Sequence, residues 1–178
     1  MNTKRLFVAV NLPEKTKESI ERELLGVLPE KEVKKVEREN LHITMKFLGH
    51  LPEADIPRIA GKIKCVGEFS PFEARLEGIG HFNKRVIWLG VREGGSILGK
   101  ISEKINEALG LTEERFHAHV TIARNRHLKF AEVGMLLEKL REAKFSEGIR
   151  IKSVDLMESR LGKKGPKYFV VEKIGLSP

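Results

Sequence analysis

Two short segments of this chain carry the same alternation. Leu41-His42-Ile43-Thr44-Met45 and Ala118-His119-Val120-Thr121-Ile122 both read apolar, His, apolar, Thr, apolar, and their histidines lie 77 residues apart. A period of two belongs to a strand with one buried face, because successive side chains leave opposite sides of the pleat. The first segment alternates strictly from Leu41 to Phe47, so Leu41, Ile43, Met45 and Phe47 are expected in the core. His42, Thr44 and Lys46 then share the other face, and Gly49 is expected to close the strand. Phe116 to Ile122 repeats the pattern. Each strand thus offers an imidazole and a hydroxyl side by side.

Helices and further strands surround these two. Arg5 to Val10 is apolar without alternation, as in a strand buried on both faces. Pro13 suits a first helical turn, and Ile20, Leu24 and Leu28 then recur at helical spacing. A helix is expected over Asp55 to Val66, with Asp55 as its cap and Ile56, Ile59, Ile63 and Val66 as its stripe. Phe72 to Phe82 and Arg85 to Val91 read as strands joined at Asn83-Lys84. Ser96 to Leu109 and Phe130 to Arg141 read as helices, and Ile149 to Ser159 and Tyr168 to Ile174 as a closing pair around the basic turn 162–165. No Rossmann glycine fingerprint or Walker phosphate loop is present, and no linker divides the chain. Hairpins mixed with helical crossovers fit an α+β class with mostly antiparallel sheet, in one unit over residues 1–178.

Composition narrows the chemistry. Of 25 acidic residues, all but Asp55 and Asp155 are Glu, so no close Asp pair exists to hold magnesium. Glutamine is absent while Lys, Glu and Arg abound, a balance that resembles heat-adapted proteins. The 33 Lys and Arg leave a net charge of +8, which hints at an anionic partner, though no block of like charges marks a dedicated patch. Cys65, the sole cysteine, excludes an internal disulfide and a cysteine-based zinc cage and suggests a reducing, cytoplasmic setting. The apolar runs are too short to span a membrane, and Asn11, Pro13 and Glu14 interrupt the first one too early for a signal peptide.

Two strands of this kind facing one another across a cleft would bring two imidazoles and two hydroxyls together. In-line opening of a cyclic phosphodiester can use that set: a neutral imidazole takes a proton from attacking water, and a protonated one gives a proton to the leaving oxygen. The hydroxyls would donate to non-bridging phosphate oxygens without a metal. One His-x-Thr on a strand is ordinary surface; two in matching apolar frames point to function. The doubled motif is symmetric, so the residues do not say which histidine is acid and which is base.

RLFVAVNLP, NLHITMKFLG and FHAHVTIAR resemble the corresponding segments of the RNA 2′,3′-cyclic phosphodiesterases, or 2′-5′ RNA ligases, of the two-histidine phosphoesterase superfamily. The likeness runs from Arg5 to the closing GPKYFVVEKIGL. It implies a compact two-lobed fold with a pseudo-twofold axis, each lobe bringing one motif to a central cleft. It also implies that His42 protonates the leaving 3′ oxygen, His119 activates water, and Thr44 and Thr121 bind the phosphate. The substrate would be RNA with a 2′,3′-cyclic phosphate end, with tRNA fragments among the candidates, and the product a 2′-phosphomonoester; some relatives join RNA ends through a 2′-5′ bond. No cofactor or metal is implied, and a monomer away from membranes is expected.

Around this set, Lys46 and Arg124 are candidate phosphate contacts. Lys46 shares the motif face, whereas Arg124 lies one parity off and needs a bend after Ile122 to reach the cleft. Trp88 is a candidate base platform, with packing under a helix the favoured reading. His42, His117 and His119 would be the ligands of an alternative zinc hydrolase. A non-catalytic RNA-binding protein is the alternative that rests on charge alone. His50, His81, His127 and Cys65 are expected to carry no chemistry.

Overall fold

A computed structural model describes residues 2–112, 115–163 and 165–177. Along the chain run β1 (Thr3–Asn11), α1 (Glu14–Glu23), β2 (Val33–Lys35), β3 (His42–Pro52), α2 (Ile56–Ile63), β4 (Phe72–Phe82) and β5 (Val86–Val91). Then come α3 (Gly95–Leu109), β6 (His119–Asn125), α4 (Phe130–Glu142), β7 (Ser146–Ile151), β8 (Ser153–Gly162) and β9 (Gly165–Gly175). The fold is α+β. The strands form one sheet in the order β7-β4-β5-β6-β3-β1-β8-β9, with β2 on β6, and every pairing is antiparallel.

The two expected lobes are the halves of this continuous sheet. They meet where β3 touches β6 through a single residue pair, Ile43 with Val120. An antiparallel pair has a local twofold axis between its partners. Here that axis exchanges His42 with His119 and Thr44 with Thr121, and it sets each histidine beside the other strand's threonine. The same arrangement of strand, helix and strand leads into each motif: β1-α1 before β3, and β5-α3 before β6.

One face of the sheet makes the core. Leu6, Val8 and Val10 of β1, Ile43 and Met45 of β3 and Val120 and Ile122 of β6 join Ile20, Ile63, Ile101 and Leu137, one from each helix, in a single buried cluster. The opposite face carries a small separate cluster of Phe7, Ala9 and Met157 with Tyr168 packed on it. Period two therefore sorts the strands as expected, and it frees the second face for chemistry.

Several local expectations change. Asp55 makes no side-chain cap; it has helical dihedrals and pairs with Arg58 at 3.3 Å, and a short 3₁₀ turn Glu53–Asp55 precedes α2. The first helix stops at Glu23, and a 3₁₀ turn Leu25–Val27 carries the apolar stripe onward. The charged stretch before the first motif contains β2, whose Val33 is fully buried. Ile149 to Ser159 is not one strand, because β7 pairs with β4 while β8 pairs with β1 and β9, so the chain changes neighbours at Lys152. Gly49 lies within β3, not at its end, with φ of 78° at an irregularity in the pairing with β1. The hairpin at Asn83-Lys84 forms as expected, with φ of 48° and 53° at the two turn residues. Of the turn expected over 162–165, residue 164 lies outside the described residues.

Candidate active site

The motif strands share a defect that composes the site. In β3, Val8 pairs with Lys46 but Ala9 pairs with Thr44, so Met45 is an extra residue. In β6, Ile87 pairs with Ala123 but Trp88 pairs with Thr121, so Ile122 is extra in the same motif position. Both extra residues are buried, as expected of large apolar side chains turned into the core at a bulge. Past each bulge the parity flips. Phe47, expected in the core, instead lies 66% exposed on the histidine face, its ring 6.3 Å from that of Phe7. Arg124, its counterpart on β6, is exposed and returned to the face of Thr121, the bend its role required. Lys46 loses the shared face: its ammonium reaches the carbonyl of Thr112 beyond α3 at 3.4 Å.

The histidines are held alike. His42 donates from Nδ1 to the Asn40 carbonyl at 2.7 Å, and His119 donates from Nδ1 to the His117 carbonyl at 2.6 Å. A carbonyl only accepts, so the proton sits on Nδ1 and Nε2 is the unprotonated nitrogen of both neutral rings. In each case the anchor is the backbone two residues before the histidine. Asn40 is itself fixed, its side-chain amide donating to the Pro166 carbonyl at 2.8 Å. The symmetry then breaks. Nε2 of His42 lies 2.9 Å from the Thr44 hydroxyl, whereas Nε2 of His119 has no hydrogen-bond partner among the described residues.

Aromatic rings line both flanks. His42 stands 5.2 Å from Phe7 and 5.2 Å, edge-on, from Tyr168. His119 stands 4.9 Å from Phe82 and 6.2 Å from Trp88, and Trp88 lies 4.6 Å from His117. Trp88 is thus on the site face, half-exposed, and not packed under a helix. Its ring lies over Gly80, where a Cβ would come within 2.2 Å of it. A cavity of about 570 Å³ lies beyond His117, walled by Phe116 and the first turns of α3. It shares His117 alone with this set.

Charge follows from these surroundings. Burial pushes His42 below the usual histidine range, opposed by the Asn40 carbonyl and reinforced by the charges of His119 and Lys17. Burial likewise lowers His119, opposed by the His117 carbonyl and reinforced by His117's own charge. Burial raises the Tyr168 phenol, against the pull of the Arg124 and Arg5 guanidiniums. Both imidazoles are therefore neutral near pH 7, and an anion bound between them would favour protonation of one. Among the described residues no three His, Cys, Asp or Glu side chains are grouped to hold a metal ion, so the His42, His117 and His119 zinc set is not assembled. His117 contributes its carbonyl instead.

Sequence reasoning missed Asn40, Phe7, Phe82 and Tyr168. The signal for Asn40 was positional: it precedes His42 by two residues, as His117 precedes His119. The others come from strands whose pairing no local pattern encodes.

Comparison with known proteins finds relatives over most of the chain. Residues 13–163 match the family model of the 2′-5′ RNA ligase superfamily. An Archaeoglobus fulgidus protein named RNA 2′,3′-cyclic phosphodiesterase is 36% identical over 92% of this chain and 96% of its own. One of the same name from Methanocaldococcus jannaschii is 34% identical over 95% and 99%. Among solved structures, E. coli LigT complexed with phosphate superposes with a TM-score of 0.79 at 21% identity, covering both chains fully, a likeness of fold. A Thermus thermophilus protein superposes at 0.76 with 26% identity over 97% of each chain. No helix among the described residues is long and apolar enough to cross a membrane.

Proposed function

Since the chain belongs to the 2′-5′ RNA ligase superfamily, we propose that it opens 2′,3′-cyclic phosphate ends of RNA to 2′-phosphomonoesters without a metal. The observation that carries this reading is the matched pair of imidazoles, each with Nδ1 tied to a carbonyl and Nε2 turned to a common face. Its residue assignments are His42 and His119 as catalytic groups and Thr44, Thr121 and Arg124 as phosphate ligands.

The reaction needs one proton taken and one given. With a cyclic phosphodiester seated between the strands, Nε2 of His119, which engages no protein group among the described residues, accepts a proton from water as the water oxygen bonds to phosphorus. The bond from phosphorus to O3′ breaks on the opposite side, and His42, protonated at Nε2, gives its proton to that oxygen. The bound anion offsets the burial that otherwise keeps His42 neutral. The Thr44 and Thr121 hydroxyls donate to the non-bridging oxygens, and Arg124 adds a charge-assisted contact. A terminal base has aromatic surface available at Phe47 or at Trp88 and Phe82. A 5′-hydroxyl in place of water would give a 2′-5′ bond by the same proton transfers. Both histidines come from one chain, which supports action as a monomer, and a lone cysteine fits a reducing, cytoplasmic setting.

The test is incubation with a 2′,3′-cyclic-phosphate oligonucleotide in excess chelator, with identification of the phosphomonoester formed. A 2′-phosphate product, lost in His42→Ala and in His119→Ala while both variants stay folded, is the expected result. Activity that vanishes with chelator, full activity in either variant, or RNA binding without turnover would overturn the proposal.

A further inference from the structure

Three cations flank Tyr168 on the histidine face. Lys34 of β2 pairs directly with Arg124 of β6. Residues directly opposite on antiparallel strands hold their side chains on one face within about 5.5 Å between Cβ atoms, and like charges so placed repel. The Lys34 ammonium extends from there to the tip of the β8–β9 hairpin, 3.4 Å from where a Cβ on Gly165 would stand. That hairpin carries Tyr168, whose ring is edge-on to His42. On the far side of Tyr168, a row across three strands links Tyr168 to Ser159 and Ser159 to Arg5. Arg5 lies two residues from Phe7, so strand alternation turns it to the same face as the ring that packs on His42. Charge agrees with placement, since Arg5 and Arg124 both pull on the Tyr168 phenol.

None of the three has a carboxylate partner among the described residues. Their chain neighbours are paired: Lys35, next to Lys34, reaches Glu30 at 3.5 Å, and Lys4, next to Arg5, is held by Glu53 and Glu158. Repelling charges left unmatched at the edge of a phosphate site call for an anion larger than the one phosphate the histidines hold.

We propose that Lys34 and Arg5 form a second phosphate subsite, which takes the phosphodiester next to the terminal nucleotide, so that an RNA strand is preferred to a free cyclic nucleotide. This rests on the phosphodiesterase reading above and names its substrate class. The terminal cyclic phosphate sits on the histidines, the chain passes over Tyr168, and its next phosphate lies between Lys34 and Arg5, which flank that ring. Arg124 faces both phosphates and belongs to the catalytic set.

The test compares kcat/KM for a 2′,3′-cyclic mononucleotide and for a short oligonucleotide with the same terminal nucleotide, in wild type, Lys34→Gln, Arg5→Gln and the double variant. Wild type is expected to prefer the oligonucleotide. Each substitution should lower the oligonucleotide value roughly threefold to tenfold, as for a lost exposed phosphate contact, and make its log–log salt dependence shallower by about 0.7. The mononucleotide value should stay within about twofold. Lys34→Gln should melt no lower than wild type, because it removes a repulsion. Equal wild-type values for the two substrates, an equal fall on both, or no fall on either overturns the subsite and leaves the phosphodiesterase standing. Wild type inert towards both substrates overturns the phosphodiesterase reading itself, and the subsite with it.

Discussion

Gly80→Ala is the most direct probe of how the wall beside His119 is built. A Cβ on Gly80 would lie 2.2, 2.3 and 2.8 Å from three ring atoms of Trp88. Carbon atoms settle at about 3.5–4.0 Å, so the indole must move by more than an ångström. Its movement is limited by its ring neighbours, since Phe82 and His117 pack at 5.5 and 4.6 Å between centroids. Overpacking of this kind costs about 1–3 kcal/mol. For a chain of this size that is a fall of roughly 2–12 °C in melting temperature. Because Trp88 is the only tryptophan, its emission should shift with the movement. If it also stacks the terminal base, kcat/KM on a cyclic nucleotide should drop between roughly fivefold and a hundredfold. Gly134→Ala serves as the control: nothing lies within 4 Å of its Cβ position in α4, so the helix should gain about 1 kcal/mol. A Gly80→Ala protein with unchanged melting temperature and emission would show that the ring yields freely, and the account of the wall would be wrong.

Other consequences can be measured on the same protein. In His119→Ala, loss of the facing charge should raise the His42 titration towards its ordinary value, read from imidazole proton shifts; an unmoved or lowered midpoint would refute the coupling. Both histidines are depressed by folding, so the unfolded chain binds protons that the native one refuses as pH falls through about 6.5 and below. Stability should therefore decline across that window, and the slope should lessen by up to about 1.4 kcal/mol per pH unit in His42→Asn, measured by denaturant melts. Thr44→Val and Thr121→Val should each cut kcat by about a hundredfold or more with little change in melting temperature, and a loss below fivefold would remove that threonine from the phosphate site. Arg124→Ala should lower kcat/KM by roughly tenfold to a hundredfold, with Lys46→Ala close to wild type, and the reverse order would refute the parity argument.

That last pair shows where local reading fails. Strict alternation placed Lys46 beside Thr44 and Phe47 in the core. A single extra residue at Met45 exchanges them, and nothing in a run of alternating side chains announces that its partner strand will skip one. Arg124 needed the same skip at Ile122, and there an arginine on an apparent core position was itself the warning. Asp55 and Gly49 were misread because capping and turn preferences describe what a residue tolerates, and tertiary pairing decided what it does.

The sequence by itself determined the strands that carry His42 and His119, the face each imidazole takes, the helices that cover the other face, and the absence of paired Asp for a magnesium site. Those are matters of period and composition, written within a few residues of each side chain. Tertiary structure alone decided that Ile43 would meet Val120, and hence that two motifs 77 residues apart would become one site. It also decided that Asn40 and His117 would orient the rings, and that Arg5 and Lys34 would flank Tyr168. Contacts between strands distant in the chain depend on which sheet edge each strand finds, and that choice is made by the shared core, not by any segment acting alone.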